Sequence, residues 1–266
     1  MSKDNDFRAT GESLSVGNVV SAGLRIYRDH FKPYYLEALR SYLWVLVPVY
    51  GWAKCLAIQG LLSRLAFYEV LEQPESIPEA RLRVKPRLWS FLLTGLLIGL
   101  MVFGGVIITV LVMGMVGLFA VFSGQRGSPL AIVFVLLFIV LVFFFIFGYI
   151  WFYSRVALAD LAIAIESVTD PVQAIKRSWQ LTQGYVVRLQ IIFFVAVLIT
   201  LPTAIIGNLG TLFLGDESPL ASLIDLILTV ALGALLIPFW QAIKAVIYYD
   251  LKSRKEGLGL SLTDEV

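Results

Sequence analysis

Residues 88–125 have the sequence LWSFLLTGLLIGLMVFGGVIITVLVMGMVGLFAVFSGQ, which contains no charged side chain over 38 residues. A helix rises about 1.5 Å per residue and the hydrocarbon core of a bilayer is about 30 Å thick, so roughly 20 apolar residues cross it. The next apolar segment includes residues 132–147, IVFVLLFIVLVFFFIF, which are apolar on every side of a helix. A surface helix of a soluble protein would carry a polar face. Both segments therefore predict transmembrane helices.

Two later segments have the same character, and the composition agrees with them. The whole chain is 59% hydrophobic and 15% charged, against about 45–50% and about 25% in soluble domains. Residues 189–215 are uncharged, and residues 218–243 contain Asp225 as the one charged side chain. We predict four spans, at about residues 88–121, 129–154, 189–215 and 219–247.

The distribution of basic residues predicts the orientation of these spans. Lys and Arg accumulate in short cytoplasmic loops, and here they concentrate in residues 72–87, residues 155–188 and the segment after residue 251. The alternate loops carry Arg126 in one case and Asp216 with Glu217 in the other. Six basic residues precede residue 41. We therefore expect both termini to be cytoplasmic.

The segment 34–71 is ambiguous, because it is apolar but contains five charged residues and a potential turn at Pro48 and Gly51. Cytoplasmic segments on both sides of it require an even number of crossings. We favour two short passes folded at residues 47–51, which give six crossings in total; a re-entrant hairpin has the same parity. One tilted crossing with the N-terminus outside is a further alternative.

Two segments predict amphipathic helices that lie on the membrane surface. In the first, residues 15–32, Ser15 is the expected N-cap and Pro33 the expected end. Its apolar side would hold Val16, Val19, Val20, Tyr27 and Phe31. The alternative for both helices is a solvated connector.

The second amphipathic helix covers residues 171–183, with Asp170 as cap, Pro171 as first residue and Gly184 as stop. Its predicted apolar stripe contains Val172, Ile175, Trp179 and Thr182. We expect Trp179 to be buried in the inner leaflet, and Lys176 and Arg177 to lie near lipid headgroups. The predicted fold is all-α: a polytopic transmembrane helix bundle with two interfacial amphipathic helices. It forms one domain over residues 14–257, between flexible termini at 1–13 and 258–266.

Motifs that carry chemistry are absent from the sequence. One cysteine (Cys55) and one histidine (His30) exclude a disulfide framework and a zinc cluster, which need several ligands. No HExxH, GxSxG, phosphate-binding loop or dinucleotide motif occurs. The net charge of +2 does not indicate nucleic-acid binding. We expect no cofactor, no metal and no enzymatic activity.

Polar residues at membrane depth are costly and are therefore functional candidates. Lys54 and Asp225 are the two candidate intramembrane polar residues, although Asp225 can also lie at the outer interface. Lys54, Arg64 and Lys244 can extend their charged heads to water along apolar stems, and Asp160, which follows Arg155, is expected to pair locally. Gly95 and Gly99 have the small-xxx-small spacing of packed helices, and Gly207 marks a bend or break.

Two segments resemble a bacterial membrane-protein family. The first consists of Ala164-Ile165-Glu166, Asp170-Pro171 and residues 174–184, AIKRSWQLTQG, and the second is residues 247–257, IYYDLKSRKEG. Together they resemble the signatures of the glycerophosphoryl diester phosphodiesterase membrane domain family and related bacterial integral membrane proteins. The family's soluble phosphodiesterase domain uses paired histidines, so this chain, with one histidine, is expected to lack it.

The resemblance implies a protein of the bacterial cytoplasmic (inner) membrane and assigns no catalytic residue. The candidate contacts to the membrane interface or to partners are Asp170, Lys176, Arg177, Trp179, Tyr248, Tyr249 and Asp250. The favoured function is a non-catalytic module that organises lipids or partner proteins, with the bilayer and other membrane proteins or a second copy as partners. A small transporter or channel is the alternative, supported if Lys54, Asp225 and the Gly207 break share a cavity. An intramembrane lipid enzyme would require Asp160, Glu166, Lys176 and Arg177 to enclose a headgroup pocket.

Overall fold

Every regular element in the described part of the chain is helical. A computed structural model of the protein describes residues 15–215 and 218–257; the predicted flexible termini and the acidic loop at Asp216 and Glu217 lie outside these ranges. The helices are α1 (Val16–Asp29), α2 (Phe31–Val45), α3 (Tyr50–Val70), α4 (Ile77–Val84), α5 (Leu88–Gln125), α6 (Leu130–Val156), α7 (Ala159–Glu166), α8 (Pro171–Thr182), α9 (Val186–Ile206), α10 (Leu209–Leu214) and α11 (Pro219–Glu256).

Four helical segments are long and apolar enough to cross a membrane. They contain α5, α6, α9 with α10, and α11, which are the four spans that the uncharged segments predict. The most apolar stretches of α5 and α6 have no buried residue, although the two helices pack against each other. Their outward surfaces are therefore apolar all round, as a lipid-facing hairpin requires. The prediction of an all-α helix bundle with four long apolar helices is confirmed.

The buried core lies near one end of the bundle, and α3 runs through it. We call this the inner end: α3, α6 and α11 finish there, and α5 and α9 begin there. Residues 60–67 of α3 are all buried, and the helix packs against α2, α5, α7 and α11. Residues 238–251 of α11 supply most of the facing surface. The spans thus share a packed inner end, while α5 and α6 extend away from it.

The predicted turn within 34–71 is present. Helix α2 ends at Val45 and α3 begins at Tyr50, so the two form a hairpin folded at Pro48. A Cβ on Gly51 would lie 1.9 Å from the Trp44 carbonyl oxygen. Only glycine allows the chain to turn back this closely.

Helix α1 begins as predicted but ends differently. The Ser15 hydroxyl accepts from the Asn18 amide at 3.2 Å and caps the helix. The prediction that Pro33 ends α1 is wrong: α1 ends at Asp29, and Pro33 lies in the first turn of α2. Proline is tolerated there because the first N–H groups of a helix have no partner inside it. Of the predicted apolar side, Val19, Val20 and Tyr27 are buried where α1 packs against α9 and α11, and Phe31 is exposed.

Helix α8 also starts as predicted and packs through a different stripe. Asp170 accepts from the Val172 amide at 3.0 Å, with Pro171 as first residue. Its buried residues are Ala174, Ser178, Leu181 and Thr182. The face that packs on the protein thus differs from the predicted membrane-facing stripe: Val172 is exposed, Ile175 and Trp179 are half-buried, and Thr182 is buried. Small side chains at 174 and 178 let α8 approach α7 closely, and the Ser178 hydroxyl donates to the Arg155 carbonyl at 2.6 Å.

The interruption after Pro202 is a break at Gly207 and Asn208. Helix α9 continues through Pro202 to Ile206, and α10 starts at Leu209. Glycine and asparagine both have low helix propensity, which favours a stop of the helix at these two positions.

Contact between α3 and α5 depends on a single glycine, which gives a stability prediction. A Cβ on Gly60 would lie 2.3 Å from Cε1 of Phe91. We expect Gly60→Ala to lower the free energy of unfolding by about 2 kcal/mol, since overpacking a core costs roughly 1–3 kcal/mol. A Cβ on Gly99 would meet no atom within 4 Å. Gly99→Ala is therefore the matched control, and equal midpoints for the two variants in detergent unfolding monitored by circular dichroism would contradict the packing.

Candidate functional site

The two signature segments meet at the inner end in one ion-pair network. Arg177 of α8 donates twice to the Glu166 carboxylate at the end of α7, with both distances 2.7 Å. The same guanidinium lies 2.5 Å from Glu256, and Lys252 lies 3.0 Å from Glu166; both are on α11. We call Glu166, Arg177, Lys252 and Glu256 the signature network. It joins α7, α8 and α11.

Local sequence places these four side chains together. Ser167 adopts a left-handed conformation that ends α7 directly after Glu166, and the Asp170 cap starts α8 four residues later. Lys252 and Glu256 are one helical turn apart and therefore share a face of α11. The hydrogen bonds to Glu166 raise the pKa of Arg177 further above its ordinary value. The Arg177 guanidinium therefore stays charged and forms a structural clamp between α7, α8 and α11.

A second charged cluster joins α9 to α11. The buried Asp250 carboxylate accepts from Arg188 at 2.7 Å and from Arg254 at 3.1 Å. Tyr248, two residues earlier, is fully buried and packs edge-to-face on Phe67 at 5.8 Å. Tyr249 is half-buried beside the same ring. These three predicted contact residues therefore pack inside the protein.

Arg64 does not extend to water, which corrects the expectation for it. It is 5% exposed and donates to both oxygens of Glu75, at 2.7 and 2.5 Å. It also donates to the Ala164 carbonyl at 2.8 Å. This arginine holds the loop before α4 and the end of α7 against α3. The bidentate geometry satisfies the buried charge without solvent.

Of the predicted contact residues in and next to α8, Trp179 and Asp170 make contacts within the protein, and Lys176 is exposed. The Trp179 ring packs edge-to-face on Trp151 at 5.4 Å, and the Arg155 guanidinium lies 4.8 Å from it. Trp179 is half-buried, whereas Lys176 is exposed. Asp170 is engaged as the α8 cap. Lys176 is thus the candidate contact of this segment whose side chain is presented to the surroundings.

The two candidate intramembrane residues engage different elements. Lys54 lies 3.5 Å from the centre of the Trp44 ring, near the tip of the α2–α3 hairpin. Asp225 of α11 accepts from the amide and hydroxyl of Thr211, at 2.9 and 2.6 Å, and so holds α10 against α11. Asp225 therefore contacts the segment that follows the Gly207 break. Lys54 instead contacts Trp44 at the α2–α3 hairpin.

A cavity of about 170 Å³ lies between α3, α5, α6, α7 and α11. Asp160 of α7 and Lys244 of α11 form an ion pair in its wall. Lys244 therefore pairs inside the bundle, contrary to the expectation that it reaches water, and Asp160 pairs across helices rather than locally. Gln59, Thr94 and Tyr153 are the other lining residues that carry polar side-chain groups. The four residues proposed for a lipid enzyme thus divide between this cavity, the signature network and the exposed Lys176.

Sequence reasoning missed the polar partners that complete these clusters. Gln241 accepts from Ser63 at 2.6 Å and donates to Gln59 at 3.3 Å, linking α3 to α11 beside the cavity. Uncharged polar residues inside apolar helices are the signal that could have identified them. Glu75 and Glu256 carry no such signal, because loops and helix ends are charged in most proteins.

Over residues 15–215 and 218–257, no group of three or more His, Cys, Asp or Glu side chains is placed to hold a metal ion. His30 lies 3.2 Å from Glu69 and stacks on Tyr34. It therefore joins α1 and α2 to the end of α3. No family model, no curated protein and no solved structure matches this chain.

Proposed function

We propose that this protein is a non-catalytic integral membrane module of the bacterial cytoplasmic membrane that organises lipids or partner proteins. The observation that carries the proposal is that the charged residues of the two signature segments form ion pairs between helices. Glu166 and Arg177 pair with each other and with α11, and Asp250 pairs with Arg188 of α9; these charges do not surround a reaction centre. Each of these charges is balanced by a partner within the protein, and the pairs join helices to one another.

The resemblance to the glycerophosphoryl diester phosphodiesterase membrane domain family belongs to this proposal. Its two signatures are about 70 residues apart in the sequence, yet Arg177 of one pairs with Glu256 of the other. A direct contact gives a physical reason for both signatures to occur together. We interpret them as the two halves of the clamp at the cytoplasmic end of the bundle.

Within this proposal, the α2–α3 hairpin is a re-entrant hairpin. Gln59 of α3 and Gln241 of α11 are in contact. From that level α3 extends nine residues to Tyr50, about 14 Å, whereas α11 extends 22 residues to Pro219, about 33 Å. The tip therefore rises less than half as far as α11. Its exposed residues are apolar, Leu46 at 81% exposure among them, as expected for a tip inside the bilayer.

Labelling of single cysteines tests this topology. In a Cys55→Ser background, we expect a membrane-impermeant maleimide to label Gln125→Cys from outside intact cells. Lys176→Cys should react only after the membrane is permeabilised, and both positions are exposed. Leu46→Cys should stay unlabelled on either side. Outside labelling at Leu46→Cys would establish two full crossings, and outside labelling at Lys176→Cys would invert the orientation.

The organising role is tested by purification in native lipid particles followed by mass spectrometry. We expect a lipid class or a partner protein to be enriched at least about threefold over the surrounding membrane, which corresponds to roughly 0.7 kcal/mol. A composition identical to bulk membrane would contradict the role. Turnover of a lipid by the purified protein would favour the enzyme hypothesis instead.

A further inference from the structure

We propose that the groove between α5 and α6 binds one phospholipid of the inner leaflet, with a zwitterionic head at the Asp160–Lys244 pair. The inference rests on the proposed membrane placement and specifies which lipid the module would organise. The occupant would carry an ammonium and a phosphate in its head. One acyl chain would lie along the groove.

The groove consists of two adjoining cavities. The first, of about 170 Å³, holds the polar groups Gln59, Thr94, Asp160 and Lys244. The second, of about 220 Å³, is lined by six residues of α5 and α6. Those residues are Ile98, Val102, Tyr149, Phe152, Tyr153 and Val156. Ile98, Tyr153 and Val156 line both cavities, so the two adjoin. Together we call them the groove, with the first cavity as its polar foot and the second as its apolar shaft.

The order of these residues along the helices matches the orientation of an inner-leaflet lipid. Helix α5 leaves the inner end, so Thr94 at the foot lies about 12 Å before Val102 in the shaft. Helix α6 runs toward the inner end, so Tyr149 lies about 10 Å above Val156. Both helices therefore place the polar foot at the inner end and the apolar shaft toward the middle of the bilayer.

Thr94 indicates a ligand independently of the ion pair. Its side chain lines the foot and is 3% exposed. Within residues 15–215 and 218–257 its Oγ1 has no hydrogen-bond partner. A buried hydroxyl without a partner costs free energy, so a polar atom bound in the foot would satisfy it.

The charge of the foot selects the head group. Lys244 contributes one positive charge and Asp160 one negative charge, so the lining is net neutral. A zwitterion can place its phosphate by Lys244 and its ammonium by Asp160. An anionic head would meet the Asp160 carboxylate without a second cation in the lining to offset it.

Native mass spectrometry with defined lipids tests the proposal. Delipidated protein is mixed with equal amounts of phosphatidylethanolamine and phosphatidylglycerol in detergent. We expect one phosphatidylethanolamine per chain at about a fivefold preference. Ile98→Trp should reduce its retention about tenfold by filling the shaft. Val110→Trp, at an exposed position farther along α5, is the matched control and should retain the lipid.

Charge provides the second measurement. Asp160→Asn makes the foot positive and should shift the preference toward phosphatidylglycerol about tenfold, the change expected for one charged hydrogen bond. Equal retention by Ile98→Trp and Val110→Trp would overturn the groove, as would a wild-type preference for phosphatidylglycerol. If the cysteine labelling gives the expected pattern, either of these two lipid results rejects the groove as a lipid site and leaves the membrane placement standing. Outside labelling at Lys176→Cys would instead reject the membrane placement.

Discussion

Replacing Arg64 by methionine should lower the free energy of unfolding by about 4 kcal/mol. The side chain is almost fully buried and forms a bidentate pair with Glu75. Removing one partner of a buried ion pair costs roughly 3–5 kcal/mol, because the remaining charge stays desolvated. The Ala164 carbonyl would also lose its donor. The loss should therefore loosen α3, α7 and the loop before α4 together.

The measurement is equilibrium unfolding in detergent micelles, followed by tryptophan fluorescence as denaturing detergent is added. Arg83→Met is the matched control, because Arg83 is an exposed arginine of α4, and its loss should change the free energy by about 0.5 kcal/mol or less. A second variant, Arg64→Lys, keeps the charge but loses the bidentate geometry and should fall between the two. Wild-type stability in Arg64→Met would mean that this side chain reaches water after all.

Arg177→Met should cost about 3 kcal/mol, the second-largest effect. This arginine bonds two carboxylates, Glu166 and Glu256. The expected loss lies at the lower end of the range for buried pairs, since the Arg177 side chain keeps 22% of its surface exposed. Lys176→Met is the control: it removes the same charge from the adjacent, exposed position and should be close to neutral.

A double-mutant cycle separates the ion pair from other effects of Arg177. Glu166→Gln and Arg177→Met each break the pair, so the combined variant should be more stable than the sum of the two losses implies, by about 1–2 kcal/mol. Strict additivity would show that the two side chains do not interact. If Lys176→Met were as damaging as Arg177→Met, net charge rather than the clamp would determine stability.

The sequence was most informative where the structure depends on local chemistry. The four spans follow from uncharged segments, because a backbone in lipid must satisfy its own hydrogen bonds and so becomes helical. Ser15 and Asp170 cap α1 and α8 as their side chains predict. The turn at Pro48 and Gly51 is also visible in the sequence. Each of these features needs only neighbouring residues.

The partner of each charged residue could not be read from the sequence. Arg64 and Lys244 were expected to reach water, and Asp160 to pair within its own segment. In the structure Arg64 binds Glu75, and Lys244 binds Asp160, 84 residues away. A side chain chooses its partner by the three-dimensional approach of helices, which hydropathy does not encode.

The sequence by itself determined the all-α class, the positions of the four long apolar helices and the first residues of α1 and α8. These depend on transfer into lipid and on capping, both of which act over a few residues. Only the tertiary structure decided that the two signature segments form one clamp and that α8 packs through Ala174 and Ser178. It also placed Thr94, Asp160 and Lys244 around one cavity. Such arrangements depend on how α5, α7, α8 and α11 pack against one another, and that packing is fixed by contacts between residues far apart in the chain.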